Sequence, residues 1–312
     1  MASFATEVKN ELARLIYEKE CCRSAELAAL LRMGGTVIFG PRHAFGVRFT
    51  AENAAVARKV LTLLKREMDG VHTEVMVSRA RRLRKRNSYT VQVPPSPGTA
   101  DLLTHIGLMR AGSLNMGTDL TRLRRSCCRA AYLRGAFLGG GSVNRPESSY
   151  HLEFVTGNYP LAELLVTILR RLEFPAGMAE RKDDYVVYIK EGDAVIDFLG
   201  MLHADKAVER FEVARNVKEV RNQVNRLVNC ETANLQKAVD AAGRQTEDIR
   251  FLMSRGRMDG LTEQMRETAE ARLAHPEASL AELAELLCIS KSGLNHRMRG
   301  LRNLAMALRG EG

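Results

Sequence analysis

Leu133-Arg-Gly-Ala-Phe-Leu-Gly-Gly-Gly-Ser-Val143 repeats, 106 residues on, the earlier stretch Leu27-Ala-Ala-Leu-Leu-Arg-Met-Gly-Gly-Thr-Val37. Self-similarity at a fixed offset marks a duplicated architecture, and the match continues past the glycines. Phe49 to Asn53 is echoed by Phe154 to Asn158, and Ala57 to Arg66 by Ala162 to Arg171, at an offset of 105. Tyr89-Thr-Val-Gln-Val93 answers Tyr185-Val-Val-Tyr-Ile189 at an offset of 96, so the first copy carries extra residues just before this strand.

Each copy reads as helix, strand pair, helix, strand pair, helix. Leu27, Leu30 and Leu31 in the first copy and Leu133, Phe137 and Leu138 in the second make the motif helices apolar, and paired glycines end them. Ala29 and Gly135 share one position, where a small residue lets two helix backbones approach closely; the two helices are therefore expected to pack about a pseudo-twofold axis. Gly35 and Gly141 are expected to be helix C-caps chosen for φ > 0. Phe45 to Phe49 and Tyr150 to Phe154 alternate as half-buried strands do, and 53–67 and 159–173 read as amphipathic helices.

Gly135-Ala-Phe-Leu-Gly-Gly-Gly-Ser-Val143 resembles the helix that names the LAGLIDADG homing endonucleases, and the repeated αββαββα layout is similar to a single-chain, two-repeat member. The resemblance implies an α+β fold. It also implies that the acidic residue before the last motif glycine should hold the divalent metal that cuts DNA. The matching positions are Gly34 and Gly140, which have no carboxylate to offer a hard cation. Asp183 and Asp184 fall on a hairpin turn instead. No catalytic residue, metal or cofactor is therefore expected.

The 312 residues, 45% of them hydrophobic, are enough for two domains with ample core. No segment approaches the roughly 20 apolar residues of a membrane span, and the first residues do not resemble a signal peptide, so the expected location is the cytoplasm, in association with the nucleoid. Two adjacent cysteine pairs, Cys21-Cys22 and Cys127-Cys128, with Cys230 and Cys288, lack zinc-site spacing and read as reduced thiols. His43, His72, His105, His151, His203 and His275 form no ligand cluster in the sequence.

A formal charge of +10 draws the chain toward polyanions. Arg79, Arg81, Arg82, Arg84, Lys85 and Arg86 fall in the insertion of the first copy, at a hairpin tip, where they either neutralise phosphates or are solvated. Arg122, Arg124, Arg125 and Arg129 crowd the linker between copies. With no Trp and 5% aromatic residues, base stacking is not expected.

After Phe211 the strand signals end. Asn222, Asn225 and Asn229, followed by Asn234, fall three to five residues apart and make an amide-rich face on a helix whose other face holds Val224, Leu227 and Val228, with Arg221 and Arg226 in the same run. Asparagine is a poor helix former, so the row implies hydrogen bonding to nucleic acid or a partner, or packing against another helix. A helix at 262–274 ends before Pro276. Ser279-Leu-Ala-Glu282 is a capping box opening a helix over 280–287, and after the turn Cys288-Ile-Ser290 a second helix is capped by Ser290 and runs from Lys291 to Leu308. Helix, tight turn, helix is the helix-turn-helix pattern, although its turn lacks the usual glycine. Leu294, Met298 and Leu301 face inward, and the expected DNA-binding set is Ser279, Ser290, Lys291, Ser292, Asn295, His296, Arg297, Arg299 and Arg302.

A degenerate two-repeat LAGLIDADG-like domain followed by a helix-turn-helix resembles the WhiA regulators of bacterial sporulation and cell division, and Arg221-Asn-x-x-Asn-Arg-x-x-Asn-Cys-Glu-x-x-Asn234 and Ser290-Lys-Ser-Gly-Leu-Asn-His-Arg-Met-Arg299 carry the likeness. The resemblance implies a sequence-specific transcription regulator of double-stranded DNA that acts in sporulation, cell division or chromosome segregation, with a sigma factor or RNA polymerase as partner, and without nuclease activity, membrane attachment or a small-molecule substrate. The expected organisation is an N-terminal helix over 1–22, a two-repeat domain over 23–204 (repeats about 23–108 and 126–204), a helical linker over 205–260 and a helix-turn-helix domain over 261–310. The alternative is a protein-docking module that grips a sigma factor or division protein.

Overall fold

The computed structural model describes residues 3–41, 44–79, 87–115 and 120–310. They divide into two compact units, Met1–Val217 and Lys218–Gly312. The first unit opens with α1 (Phe4–Leu12), whose Phe4, Val8 and Leu12, four residues apart, form one buried stripe. It then runs through the same sequence of elements twice.

In the first copy α2 (Glu20–Gly34) leads into β1 (Gly35–Phe39), β2 (Phe45–Ala51), α3 (Ala54–Glu67), β3 (Glu74–Arg79), β4 (Asn87–Ser96) and α4 (Pro97–His105). A small hairpin, β5 (Met109–Arg110) and β6 (Ser113–Leu114), joins it to the second copy. There α5 (Ser126–Gly140) is followed by β7 (Gly141–Val143), β8 (Leu152–Thr156), α6 (Tyr159–Arg171), β9 (Gly177–Arg181), β10 (Asp184–Ile189) and α7 (Gly192–Met201). Each copy makes one antiparallel sheet, in the orders β1-β2-β4-β3 and β7-β8-β10-β9. The αββαββα layout therefore occurs twice.

The sheets form where alternation demands it. Val47 and Phe49 pair with Val93 and Val91, and all four side chains are buried under the helices. Between them Arg48 faces Gln92 and Thr50 faces Thr90 on the open side, with hydrogen bonds of 2.9 and 3.1 Å. The second sheet repeats this with Leu152 and Phe154 opposite Ile189 and Val187. Asn53 and Asn158 cap α3 and α6 by accepting from Ala55 N and Leu161 N, so the helix start is duplicated as well.

The pairing of α2 with α5 holds the two copies together, and its closeness explains the glycines. A Cβ on Gly135 would lie 2.3 Å from the Glu26 carbonyl oxygen and 3.0 Å from Ala29 Cβ, so the small pair does set the approach of the two backbones. Gly35 and Gly141 do not have the conformation expected of them. Their φ values are −89° and −82°, in extended backbone open to any residue. What excludes a side chain is space: a Cβ there would meet the Leu31 carbonyl oxygen and the Phe137 ring, both at 2.4 Å.

Three charges are buried in the α2–α5 contact. Arg134 of α5 donates from Nε and Nη2 to the two carboxylate oxygens of Glu26 on α2, each at 2.8 Å, and lies over the Tyr17 ring at 3.8 Å. Lys59 of α3 stands 3.2 Å from the same carboxylate and also donates to the Leu15 carbonyl. One anion thus serves two cations, and it bridges the repeats.

The linker arginines are tied to backbone. Arg122 donates to the carbonyls of His105 and Thr104, and Arg129 to those of Leu123, Arg124 and Arg171.

The helix α8 (Asp205–Ser254) contributes its start to the first unit, where Phe211 packs on Phe4, and its remainder to the second. The second unit continues with α9 (Glu263–Ala274), α10 (Leu280–Leu286) and α11 (Lys291–Arg309). Its core takes Ile249 and Leu252 from α8, Ala269 from α9, Leu283 and Ala284 from α10, and Leu294, Met298, Leu301 and Ala305 from α11.

Candidate nucleic-acid interface

Among the described residues, groups suited to DNA gather on α10, α11 and the turn between them. Ser279 accepts from the Glu282 backbone N–H at 3.2 Å while the Glu282 carboxylate accepts from the Ser279 N–H at 2.7 Å, closing the capping box. That backbone donor holds the Glu282 carboxyl below its ordinary pKa. Ser290 caps α11 through Gly293 N at 3.1 Å. Ser279 and Ser290 therefore set where the helices start.

The turn succeeds without glycine because Cys288 itself takes the left-handed conformation, with φ +51°. Its N–H reaches the Glu285 carbonyl at 3.1 Å and the Ile289 N–H reaches the Ala284 carbonyl at 2.9 Å, the paired bonds of a Schellman ending. A side chain at such a position costs about 1–2 kcal/mol. Cys288 is exposed, so Cys288→Gly is expected to stabilise the second unit by about 1 kcal/mol in urea unfolding. An unchanged or lower midpoint would show that the turn carries no such strain.

Residues 294, 298, 301 and 305 bury one face of α11, which turns Lys291, Ser292, Asn295, His296, Arg299 and Arg302 to the exposed face. They combine cations for phosphates with an amide and a guanidinium for base edges. Arg297 does not belong to this face. Half-buried, its Nη1 lies 3.3 Å from the Gln264 carbonyl, 3.4 Å from Thr268 Oγ1 and 3.5 Å from Glu267 Oε2, so it fastens α11 to α9. The sequence period puts it one position from the inward stripe, and only the placement of α9 decides which way it turns. Arg272 is a second structural arginine missed in the sequence: it is buried, with Nη1 on the carbonyls of His275 and Ala278, where it fixes the turn into α10.

Arg221, Asn222, Asn225, Arg226 and Asn229 are all exposed on α8, and so are Val224, Leu227 and Val228. The stretch 219–240 is exposed throughout, so this amide row is not spent on helix packing. Of the basic hairpin, Arg79 ends β3 opposite Asn87, and Arg81, Arg82, Arg84, Lys85 and Arg86 lie outside the described residues.

The ends of α2 and α5 have no room for nuclease acids. A Cβ on Gly34 would stand 2.9 Å from the Phe49 ring, and one on Gly140 would stand 2.3 Å from Met33 Cε and 2.9 Å from the Val155 carbonyl oxygen. The carboxylate-containing cluster found among the described residues, Glu20 with Glu67 and His105, stands at the other end of α2. The 15 residues from Glu20 to Gly34 put about 21 Å of helix between the first and the last. Glu67 is already bonded to Arg23 and Ser24.

Comparison with known proteins agrees with this architecture. Residues 20–109 match the WhiA N-terminal LAGLIDADG-like domain, 129–221 the WhiA LAGLIDADG-like domain and 224–305 the WhiA C-terminal HTH domain. The chain is 50% identical over 312 residues to a "Probable cell division protein WhiA" of Desulforamulus reducens, covering 98% of this chain and 96% of that one. It is 46% identical to the protein of that name in Heliobacterium modesticaldum, covering 99% and 98%. Among solved structures, full-length DUF199/WhiA from Thermatoga maritima is 22% identical with a TM-score of 0.62, covering 98% of this chain and 99% of that one.

Proposed function

The chain belongs to the WhiA family, and from that premise we propose that it is a sequence-specific DNA-binding regulator of transcription with a role in cell division. The exposed face of α11 carries this reading: Lys291, Asn295, Arg299 and Arg302 recur every three or four residues opposite a fully buried stripe. Such a helix can enter a major groove with its amide and guanidinium groups against base edges. The relatives named for cell division support the biological setting. Sporulation and chromosome segregation are the settings that the family resemblance adds, and a nucleoid-associated cytoplasmic location follows from DNA binding. Among the described residues no helix is long and apolar enough to cross a membrane.

Selection from a random duplex library with purified protein tests the reading directly. Enrichment of one shared motif, found again at promoters by chromatin immunoprecipitation, is the expected result. Recovery of unenriched sequence after several rounds would exclude specific readout.

The exposed valines and asparagines of α8 favour a second contact, to protein, for which a sigma factor or RNA polymerase is the natural candidate; in that reading DNA binding and docking coexist.

The first unit acts in this proposal as a binding scaffold without nuclease chemistry. Supercoiled plasmid incubated with the protein and Mg²⁺ or Mn²⁺ should stay intact, because Phe49 and Met33 fill the places where metal-binding acids would project. Metal-dependent nicking that co-purifies with the protein and disappears in a Glu20→Gln variant would reverse this and point to the Glu20, Glu67 and His105 cluster.

A further inference from the structure

Cys21 and Cys22 lie in the first turn of α2, and Cys127 and Cys128 in the first turn of α5, separated by the 106 residues that relate the motif helices. The α2–α5 packing brings the two pairs together. All four Sγ atoms lie within 4.8 Å of one another, with Cys22 and Cys128 buried and Cys21 and Cys127 half-buried. The cysteines are free, and Cys21 and Cys22 are 4.0 Å apart at sulfur, about twice the S–S length of a disulfide.

Four thiolates around one zinc at about 2.3 Å, in tetrahedral directions, stand about 3.8 Å from each other. The observed spread of up to 4.8 Å reaches that geometry by small side-chain rotations. From this geometry we infer that Cys21, Cys22, Cys127 and Cys128 form a structural site for one soft divalent cation, zinc, which joins the two repeats at the N-terminal ends of their motif helices.

The surroundings suit the charge of such a centre. Four thiolates and one divalent ion carry a net charge of −2, and the site faces two helix N-termini whose caps, Lys19 and Arg125, make no side-chain capping bond. Thiols must lose their protons to ligate the ion, so binding would release protons and affinity should rise with pH. Unlike a loop-borne zinc ribbon, the site has no Cys-x₂-Cys signature, because the duplication supplies each half.

The test uses the full chain, purified under reducing conditions without chelator and then reconstituted with zinc or cobalt. A Cys230→Ser/Cys288→Ser variant should hold one equivalent of zinc by elemental analysis. With Co²⁺ it should show thiolate-to-metal charge transfer and the intense visible bands of a tetrahedral sulfur centre. Cys21→Ser/Cys127→Ser alters the half-buried pair and so spares the core. It should keep the native circular dichroism and lose more than about 100-fold in affinity against a chromophoric chelator, beyond the 10–100-fold typical of outer-shell changes. Absence of both bound zinc and the cobalt spectrum in folded protein would overturn the inference. So would equal affinity in the two variants. Recovery of a disulfide among the four cysteines after thiol blocking, in protein that binds no cobalt when reduced, would overturn it too and make the cluster a redox pair. Metal content is read without DNA, so the outcome is independent of the proposed function.

Discussion

Glu26→Gln is expected to destabilise the first unit by about 3–5 kcal/mol. The carboxylate of Glu26 faces Arg134 at two contacts of 2.8 Å and Lys59 at 3.2 Å, and all three side chains are almost wholly buried. Neutralising the anion leaves two cations out of water with amide and backbone oxygens as partners. The loss is mostly the penalty for those stranded charges, which a second change should reveal. Combining Glu26→Leu with Arg134→Met and Lys59→Met should recover most of the stability, since well-packed apolar side chains of similar volume often replace a buried ion cluster at little cost. Burial already pushes the Lys59 pKa down, with Glu26 pulling it back up, so in Glu26→Gln it falls further. A folded-state pKa below the unfolded one means that the unfolded chain binds more protons between the two values, and stability rises with pH across that window. The deficit of Glu26→Gln should therefore shrink as pH rises from the variant's Lys59 pKa to that of the wild type, which burial already holds below the ordinary lysine value of about 10.4. Urea unfolding followed by circular dichroism measures both effects. A loss under 1 kcal/mol, or one independent of pH, would mean that water reaches the cluster.

Glu26 and Arg134 show where sequence reading stops. The duplication is legible because the packing of two helices about a pseudo-twofold axis requires small residues at matching positions, Ala29 and Gly135, and each sheet requires its own alternation. Every element of the αββαββα order follows from those local demands. The ion cluster does not, because Glu26 matches Tyr132 and Arg134 matches Ala28 at the repeat offset; the pair is formed across the interface and has no counterpart within a copy. The four thiols were present in the sequence as two doublets, yet their convergence is a property of helix packing. Gly35 and Gly141 do end their helices, but crowding by Leu31 and Phe137 selects glycine there, where the spacing suggests a left-handed φ. At the helix-turn-helix the buried stripe and both serine caps were legible from spacing. The inward turn of Arg297 depends on α9, and the left-handed Cys288 replaces the glycine that the pattern leads one to seek.

Asn295→Ala/Arg299→Ala is expected to cost about 2–6 kcal/mol in specific DNA binding, the sum of about 1–3 kcal/mol for each base-edge contact. At 1.4 kcal/mol per tenfold, even the lower end is a loss of roughly 30-fold. Both side chains are exposed and the core stripe of α11 is untouched, so the unfolding midpoint should move by less than about 0.5 kcal/mol. Arg297→Ala gives the opposite pattern. Its loss removes the contacts to Gln264, Glu267 and Thr268, lowering stability while leaving discrimination between operator and competitor DNA intact. Salt dependence separates the two modes open to Arg299. If its guanidinium neutralises a phosphate, Arg299→Ala lowers the slope of log K against log salt by about 0.9; if it reads a base edge, the slope holds and the affinity gap between cognate and mismatched sites narrows instead. Titration by fluorescence anisotropy at several salt concentrations, with cognate and scrambled duplexes, provides both quantities. Wild-type specificity in a folded Asn295→Ala/Arg299→Ala protein would remove α11 from the groove and leave the exposed amide row of α8 as the surface to test next.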